Sequence, residues 1–119
     1  MWWGLAVEAP DPVTLAAFYS QLLGWLVVGE DEGSLIIAAP EGHIYLVMQP
    51  AVDYAPPTWP PVPGSQRPMM HLDFQVGDLE TAVTEALALG ARLADHQPND
   101  TVRVLLDPAG HPFCLSSDD

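Results

Sequence analysis

The sequence predicts an α+β fold made of two tandem βαβββ modules, and two observations support this prediction. A short strand, an Asp-capped helix and a terminating glycine occur together twice, within residues 3–24 and again within residues 70–90. The turn APEGH at 39–43 also corresponds to DPAGH at 107–111, and each turn precedes the last strand of its half. Because one such module cannot bury both faces of its sheet, two packed copies that arose by internal duplication are expected.

The first module is assigned to residues 1–50. Asp11-Pro12 provides a helix N-cap and a proline at the first helical position, where its missing N–H costs nothing. Gly24 ends that helix, because glycine adopts the left-handed conformation easily. Short apolar runs separated by turn residues mark the strands. The predicted elements are a strand at 3–8, a helix at 12–23 and strands at 25–29, 34–39 and 44–49.

The segment 51–68 separates the two modules and is rich in proline. More than half of the chain's 13 prolines fall between Pro50 and Pro68. Proline cannot pair in a central strand, so this segment is predicted to be an extended linker on the surface. Trp59 has no obvious core to join there and is expected to fold over a cleft or onto a partner chain.

The second module is assigned to residues 69–119. Residues 70–76 alternate, with Leu72, Phe74 and Val76 on one face and His71, Asp73 and Gln75 on the other. The carboxylate of Asp78 is predicted to cap the next helix and Gly90 to end it. Strands are expected at 91–95, 101–106 and 112–116. The side chains predicted to fill the core between sheet and helix are Leu72, Phe74, Val83 and Leu87.

Charge and composition limit the possible partners. Three basic and 16 acidic side chains give a formal net charge of −13, which disfavours nucleic acids and anionic membranes as partners. The acidic excess either serves solubility or favours cationic ligands. The single cysteine, Cys114, excludes an internal disulfide and fits a reducing compartment. Because no signal peptide and no apolar stretch of about 20 residues is present, a cytoplasmic protein is expected.

Three segments resemble signatures of the vicinal oxygen chelate superfamily, which contains the glyoxalase and bleomycin-resistance-like proteins. They are LAAFYSQLLGW at 15–25, MHLDFQVGDLE at 70–80 and LLDPAGHPFCL at 105–115. The resemblance implies that the two sheets form a cleft and that the protein is a homodimer. It implies less about activity, because the superfamily includes lyases, dioxygenases, epimerases and non-catalytic drug binders.

Metal-using members of this superfamily place one ligand on the first strand and one on the last strand of each module. The matching positions here are Gly4, Leu46, His71 and Cys114. Glycine and leucine cannot ligate, and a catalytic metal normally needs about three protein ligands. The resemblance therefore implies no cofactor. The alternative is a divalent metal at a displaced site built from Glu8, His71 and Asp73.

Strand alternation predicts which side chains surround the cleft and contact a small-molecule ligand. They are Glu8, Ile44, Met48, His71, Asp73, Gln75, Arg103 and Cys114. His71 is either a hydrogen-bonded pocket histidine or a group that contacts the ligand or transfers a proton. Cys114 is expected to be a small buried side chain rather than a nucleophile. Arg103 either pairs with Asp73 or Glu8 or anchors an anionic group of the ligand.

Three functional interpretations follow, and the sequence does not decide whether the protein is an enzyme. The first is a metal-independent binder of a small molecule, like the drug-sequestering members. The second is a lyase, isomerase or dioxygenase with a reduced or displaced metal site. The third is an accessory protein that has lost ligand binding. The missing ligands at Gly4 and Leu46 favour the first over the second, and the polar row of His71, Asp73 and Gln75 favours both over the third.

Overall fold

The computed structural model describes residues 1–117 and contains two four-stranded sheets, each accompanied by one helix. The predicted α+β fold with two similar βαβββ modules is confirmed. Contacts divide the chain into two compact units, Met1–Tyr54 and a second that begins at Ala55. Within residues 1–117, neither helix is long and apolar enough to cross a membrane.

The first unit contains five elements in the predicted order. They are β1 (Trp3–Ala9), α1 (Pro12–Leu23), β2 (Leu26–Asp31), β3 (Ser34–Ala38) and β4 (Ile44–Pro50), and the sheet order is β1-β4-β3-β2. The Asp11 carboxylate caps α1 by accepting hydrogen bonds from the Thr14 hydroxyl at 2.6 Å and the Thr14 N–H at 3.4 Å. These hydrogen bonds lower the pKa of Asp11, with the hydroxyl contributing most. Gly24 ends the helix at φ 72°, as predicted.

The register between β1 and β4 assigns each residue to one of two faces of the first sheet. On the covered face, which packs against α1, Leu5 pairs with Leu46 and Val7 with Met48, and both β4 residues are buried. The opposite face is called the open face. It carries the pairs Gly4–Tyr45, Ala6–Val47 and Glu8–Gln49.

This register corrects the predicted position of Met48. The prediction that Ile44 and Met48 share a face with Glu8 is wrong, because Glu8 pairs with Gln49 whereas Met48 lies on the covered face. A shift of one residue along a strand moves every side chain to the other side of the sheet. Met48 is fully buried, so we do not retain it as a ligand contact.

The second unit repeats the same plan with shorter strands. Its elements are β5 (Leu72–Gln75), α2 (Leu79–Leu89), β6 (Arg92–Leu93), β7 (Val102–Leu106) and β8 (Pro112–Ser116), in the sheet order β5-β8-β7-β6. Strand β6 has two residues where five were predicted. Beyond it, the Ala94 N–H still donates to the Val104 carbonyl at 3.0 Å, but the Val104 N–H bonds to a side chain instead of the backbone. The Gln97 amide accepts from the Val104 N–H at 2.8 Å and donates to the carbonyls of Ala94 and Val104 at 2.7 and 3.0 Å.

Helix α2 differs from the prediction in its cap and in its buried face. The Asp78 carboxylate accepts a hydrogen bond from the Thr81 hydroxyl and none from a backbone N–H at the start of the helix. Leu87 is 42% exposed, and Ala86 is the helix residue that is fully buried. The core prediction was therefore wrong at Leu87, because α2 carries apolar residues on more than one side and only one side can face the sheet.

The second sheet also has a covered and an open face. Leu72 pairs with Phe113, and the Phe113 ring lies 6.2 Å from the Phe74 ring in an edge-on arrangement. Three residues of β7 and β8 are buried on this covered face: Leu105, Phe113 and Leu115. The open face carries Asp73 paired with Cys114, with His71 and Gln75 one pleat away on either side.

A buried aspartate organises the turn between β7 and β8. The Asp107 carboxylate accepts from the N–H groups of Ala109 and His111 at 2.9 and 3.0 Å. The Nδ1 atom of His111 lies 3.1 Å from the same carboxylate. His111 therefore stabilises this turn through both its backbone N–H and its ring.

Candidate functional site

The open face of the first sheet contains a hollow of about 580 Å³. Its floor is formed by the side chains of β3 and β4, and its rim by the turn that joins β2 to β3. The lining residues are Asp31, Glu32, Ser34, Ile36, Tyr45, Val47 and Gln49. One aromatic ring, two aliphatic side chains, a hydroxyl, an amide and two carboxylates thus converge on one space.

Gly4 allows the Tyr45 ring to lie across strand β1. A Cβ atom added at Gly4 would stand 2.6 Å from Tyr45 Cζ and closer still to other ring atoms. Real Cβ atoms essentially never approach another heavy atom so closely. The absence of a side chain at Gly4 is therefore a condition for the aromatic wall of the hollow.

The surroundings of the hollow are acidic. Asp31 and Glu32 lie on its rim, and Glu8 shares the open face with Gln49 of the lining. Residues 1–54 include no lysine and no arginine. The negative charge on this unit is therefore not neutralised by a basic side chain of the same unit.

On the open face of the second sheet, the predicted polar row is present. His71, Asp73 and Gln75 are all exposed, while Cys114 beside Asp73 is 8% exposed. The alternation predicted for residues 70–76 places these three polar groups together on one side of the sheet. Glu8 lies on the equivalent face of the first unit, so five predicted contact residues are on open faces, and four of them are exposed.

Trp59 covers the apolar part of the second open face. Its side chain packs against the cluster of Ala94, Val104 and Cys114. The indole Nε1–H donates a hydrogen bond to the His96 carbonyl at 3.2 Å, and the ring centroid lies 6.5 Å from that of His71. Of the two positions expected for Trp59, over a cleft or on a partner chain, the structure has it on the sheet of its own unit.

Two contacts hold the proline-rich segment around Trp59 in place. The Thr58 N–H donates to the Gln66 carbonyl at 3.0 Å, which closes the segment into a loop. Pro56 lies against Gly110, where an added Cβ would stand 2.8 Å from the Pro56 Cβ. The part of the predicted linker from Ala55 onward therefore packs with the second unit.

Comparison with known proteins identifies the family. A model of the glyoxalase-like domain matches residues 4–116, nearly the whole chain. The chain belongs to the glyoxalase-like domain family. This confirms the resemblance to the vicinal oxygen chelate superfamily. No curated protein matches the sequence significantly.

Solved structures share the fold of this glyoxalase-like chain at low sequence identity. A glyoxalase/bleomycin resistance protein/dioxygenase family enzyme from Burkholderia phytofirmans PsJN is 18% identical with a TM-score of 0.71, and the match covers 96% of this chain and 95% of that one. A glyoxalase/bleomycin resistance protein from Albidiferax ferrireducens T118 is 17% identical with a TM-score of 0.68, covering 100% and 99%. TnmS3, an antibiotic binding protein from Streptomyces sp. CB03234, is 16% identical with a TM-score of 0.64, covering 100% and 96%.

The residues of this glyoxalase-like protein at the superfamily's metal positions do not fit a divalent metal. The pairing of Cys114 with Asp73 in the second unit matches that of Val47 with Ala6 in the first, so Val47 rather than Leu46 occupies the equivalent position. Neither valine nor Gly4 can ligate. In the part of the chain that the structure describes, no three His, Cys, Asp or Glu side chains come together as a metal site would require.

Arg103 does not take the position predicted for it. It pairs with Leu115, which places it on the covered side of the second sheet, whereas Val104 shares the open face with Cys114. Its Nη1 donates to the carbonyls of Asn99 and Val102 at 2.6 and 2.9 Å. An ion pair with Asp73, one of the alternatives predicted for Arg103, is not present among residues 55–117 of the second unit.

Cys114 has the buried, unreactive environment that the sequence predicts. Burial raises the pKa of its thiol, and the negative charge of Asp73 raises it further. Only the thiolate ligates metals or acts as a nucleophile. A thiol that stays protonated near neutral pH is therefore a poor nucleophile. Because Cys114 is only 8% exposed and Trp59 packs against its cluster, we do not retain Cys114 as a ligand contact.

Cys114 should react with iodoacetamide at least about tenfold more slowly than a cysteine in an unfolded peptide, because it is covered and carries little thiolate. Its labelling rate should increase with pH, and the midpoint of this increase should lie above the ordinary cysteine pKa of about 8.5. Asp73→Asn should shift this profile to lower pH, and Trp59→Ala should increase the rate at every pH. Mass spectrometry of quenched samples measures both effects, with Thr84→Ala on α2 as the unaffected control. Labelling of the wild type at the unfolded rate would show that Trp59 does not cover the thiol.

None of the seven residues that line the hollow was among the predicted ligand contacts. Tyr45, Val47 and Gln49 alternate with the residues that were assigned to the open face, so the error was one of register. The spacing of the two turns could have revealed this error. His43 and His111 are 68 residues apart, whereas the helix caps Asp11 and Asp78 are 67 apart. Aligning the last strands by their turns instead of by the helix caps therefore shifts β4 by one residue and assigns its side chains to the wrong face.

Proposed function

We propose that this glyoxalase-like protein is a metal-independent binder of small molecules and that its ligand lies in the hollow on the open face of the first sheet. The observation that carries the proposal is the volume of about 580 Å³ together with its lining. Sites for small molecules typically measure about 300–1,000 Å³ and combine apolar walls with a few placed polar groups.

The lining divides into an apolar wall and a polar edge. Tyr45, Ile36 and Val47 offer an aromatic ring and two branched aliphatic surfaces to the apolar body of a ligand. Gln49 and Ser34 offer an amide and a hydroxyl for hydrogen bonds that fix its orientation. The name of the structural relative TnmS3, an antibiotic binding protein, supports binding of a compact organic molecule on this fold.

The chemistry of the donor set favours binding over metal-dependent catalysis. The open face of the first unit has Gly4 and Val47 at the two positions where the superfamily's metal-using members present ligands, and neither residue has a donor atom in its side chain. In the second unit Cys114 is buried beneath Trp59, so of the two corresponding positions only His71 is exposed. The alternative is a lyase, isomerase or dioxygenase with a displaced metal site.

Other predicted properties belong to the same proposal. Glu8, which lies on the same open face as the hollow, is kept as a proposed contact of this ligand, and the exposed residues His71, Asp73 and Gln75 are kept as proposed contacts of a ligand on the open face of the second unit. We also propose a cytoplasmic homodimer. The single cysteine agrees with a reducing compartment, and the exposed run of Leu26, Val27 and Val28 on the edge strand β2 offers apolar surface for self-association.

The proposal is tested by thermal-shift screening against antibiotics, metabolites and divalent metals, followed by titration of each hit. Replacing Gln49 with alanine should weaken binding of a hit by about five- to tenfold, the effect of losing one hydrogen bond in a binding site. Gln49 is exposed and outside the core, so the substitution should leave the thermal midpoint of the free protein unchanged. Ser116→Ala, at the equivalent position of the second unit, is the matched control.

Two results would contradict the proposal. One is the absence of any stabilising organic compound. The other is an equivalent of zinc, nickel, manganese or iron in protein purified without chelator and lost on His71→Ala, which would favour the enzyme alternative. Sedimentation of the same samples measures whether the chain is a dimer.

A further inference from the structure

We propose that the hollow selects organic cations, that is, molecules with a flat apolar body and a positively charged group. This inference rests on the proposed function and specifies the ligand class of the same site. The site itself is defined by the cavity and its aromatic and aliphatic walls. The carboxylates at its rim determine which charge the ligand carries.

The charge around the hollow has one sign. Asp31 and Glu32 line it, and Glu8 lies on the same open face. Residues 1–54 hold seven acidic side chains and neither lysine nor arginine; the seven are Glu8, Asp11, Glu30, Asp31, Glu32, Glu41 and Asp53. The three arginines of the chain all come later in the sequence. An anionic ligand entering this hollow would meet repulsion from the rim and no compensating lysine or arginine of the same unit.

The Tyr45 ring gives the hollow a second feature that suits a cation. Gly4 lets this ring lie across β1 and form part of the lining. An organic cation over the face of an aromatic ring is attracted by the electrons of that ring. Ile36 and Val47 extend the wall with surface on which an aromatic or aliphatic body can pack.

A bare metal ion fits this site less well than an organic cation. Asp31 and Glu32 are exposed, and no third potential ligand joins them in the described part of the chain. A hard cation such as Ca²⁺ takes six to eight oxygen ligands. An organic cation needs no such shell, because its attraction to the carboxylates acts at longer range while its body is held by apolar contact.

The test uses three probes of similar shape and different charge: benzyltrimethylammonium, benzyl alcohol and benzoate. Each is titrated into the ¹⁵N-labelled protein while the backbone amide signals are followed. At about 0.01 M salt, where screening is weak, the cation should bind about tenfold more tightly than the alcohol, and benzoate more weakly than both. At about 1 M salt the three affinities should converge. The amides that shift should be those of residues 31–36 and 45–49.

The double variant Asp31→Asn/Glu32→Gln should lose the preference for the cation and keep its affinity for benzyl alcohol. Both residues are exposed, so folding should not change. The control is Glu41→Gln/Asp53→Asn, which removes the same charge from the same unit at positions outside the lining and should retain most of the preference. A preference that survives in the first variant, or disappears equally in the control, would overturn the role of the rim.

The outcomes separate this inference from the proposed function. If all three probes shift the amides of the hollow with equal affinity, small-molecule binding stands and the cation preference is wrong. If no probe shifts these amides at any charge, the hollow is not the site and both proposals fail. If the cation shifts only the amides around His71, the preference belongs to the second unit and the assignment to the hollow is overturned.

Discussion

Replacing Phe113 with alanine should lower the free energy of unfolding by about 3–5 kcal/mol, the usual cost of removing a large core side chain. Phe113 is 0% exposed and lies on the central strand β8, where it pairs with Leu72 on one side and Leu105 on the other. Its ring also contacts that of Phe74. Because hydrogen-bonded strands hold β8 on both sides, the surrounding residues cannot move inward to fill the cavity that the substitution leaves.

Urea unfolding followed by circular dichroism measures this loss. Leu87→Ala is an informative control, because Leu87 was predicted to belong to the same core and is largely exposed in the structure. Its substitution should cost less than about 1 kcal/mol, as is usual for a surface position. Equal costs for Phe113→Ala and Leu87→Ala would mean that α2 presents a different face to the sheet.

Asp107→Ala is expected to destabilise the protein by about 2–4 kcal/mol, because it leaves several hydrogen-bond donors without an acceptor. The Asp107 side chain is 2% exposed and accepts from two backbone N–H groups and from the His111 ring. Without the carboxylate, the half-buried N–H groups of Ala109 and His111 lose their acceptor. The turn also joins the two central strands of the second sheet, so its loss should affect the whole unit.

Two further variants separate the parts of this hydrogen-bond set. Asp107→Asn retains an oxygen for the backbone N–H groups and should cost less than the alanine variant. His111→Ala removes only the ring contact and should cost about 1 kcal/mol. Denaturant unfolding of the three variants should therefore follow the order Asp107→Ala, Asp107→Asn, His111→Ala from most to least destabilised. The reverse order would show that the imidazole, rather than the carboxylate, stabilises the turn.

The sequence was sufficient to predict the fold, because its signals are local. Asp11-Pro12 and Gly24 mark the ends of α1, and Gly90 marks the end of α2, through conformational preferences that do not depend on distant residues. The alternation at residues 71–76 likewise predicts which face of β5 is polar, since apolar and charged residues there are clearly separated. Order and number of the elements follow from these signals.

The faces of β4 and β7 were not predictable in the same way. The run Ile-Tyr-Leu-Val-Met at 44–48 and the Val102–Leu106 strand are apolar on both sides, so alternation provides no information about which side faces the helix. The register of pairing with β1 and β8 decides it, and register depends on turn length. Met48 and Arg103 were therefore placed on the wrong faces, and the hollow around Tyr45 was missed.

The Tyr45 ring and a metal-ligating side chain at residue 4 would occupy the same space, so the protein can have only one of them. A histidine introduced at residue 4, where metal-using relatives carry a ligand, would have its Cβ inside the space that the Tyr45 ring now fills. Restoring a ligand there would first require moving or shortening the tyrosine, which would remove the aromatic wall of the hollow. As long as the Tyr45 ring keeps its present position, the aromatic wall of the hollow and a ligating side chain at residue 4 cannot coexist.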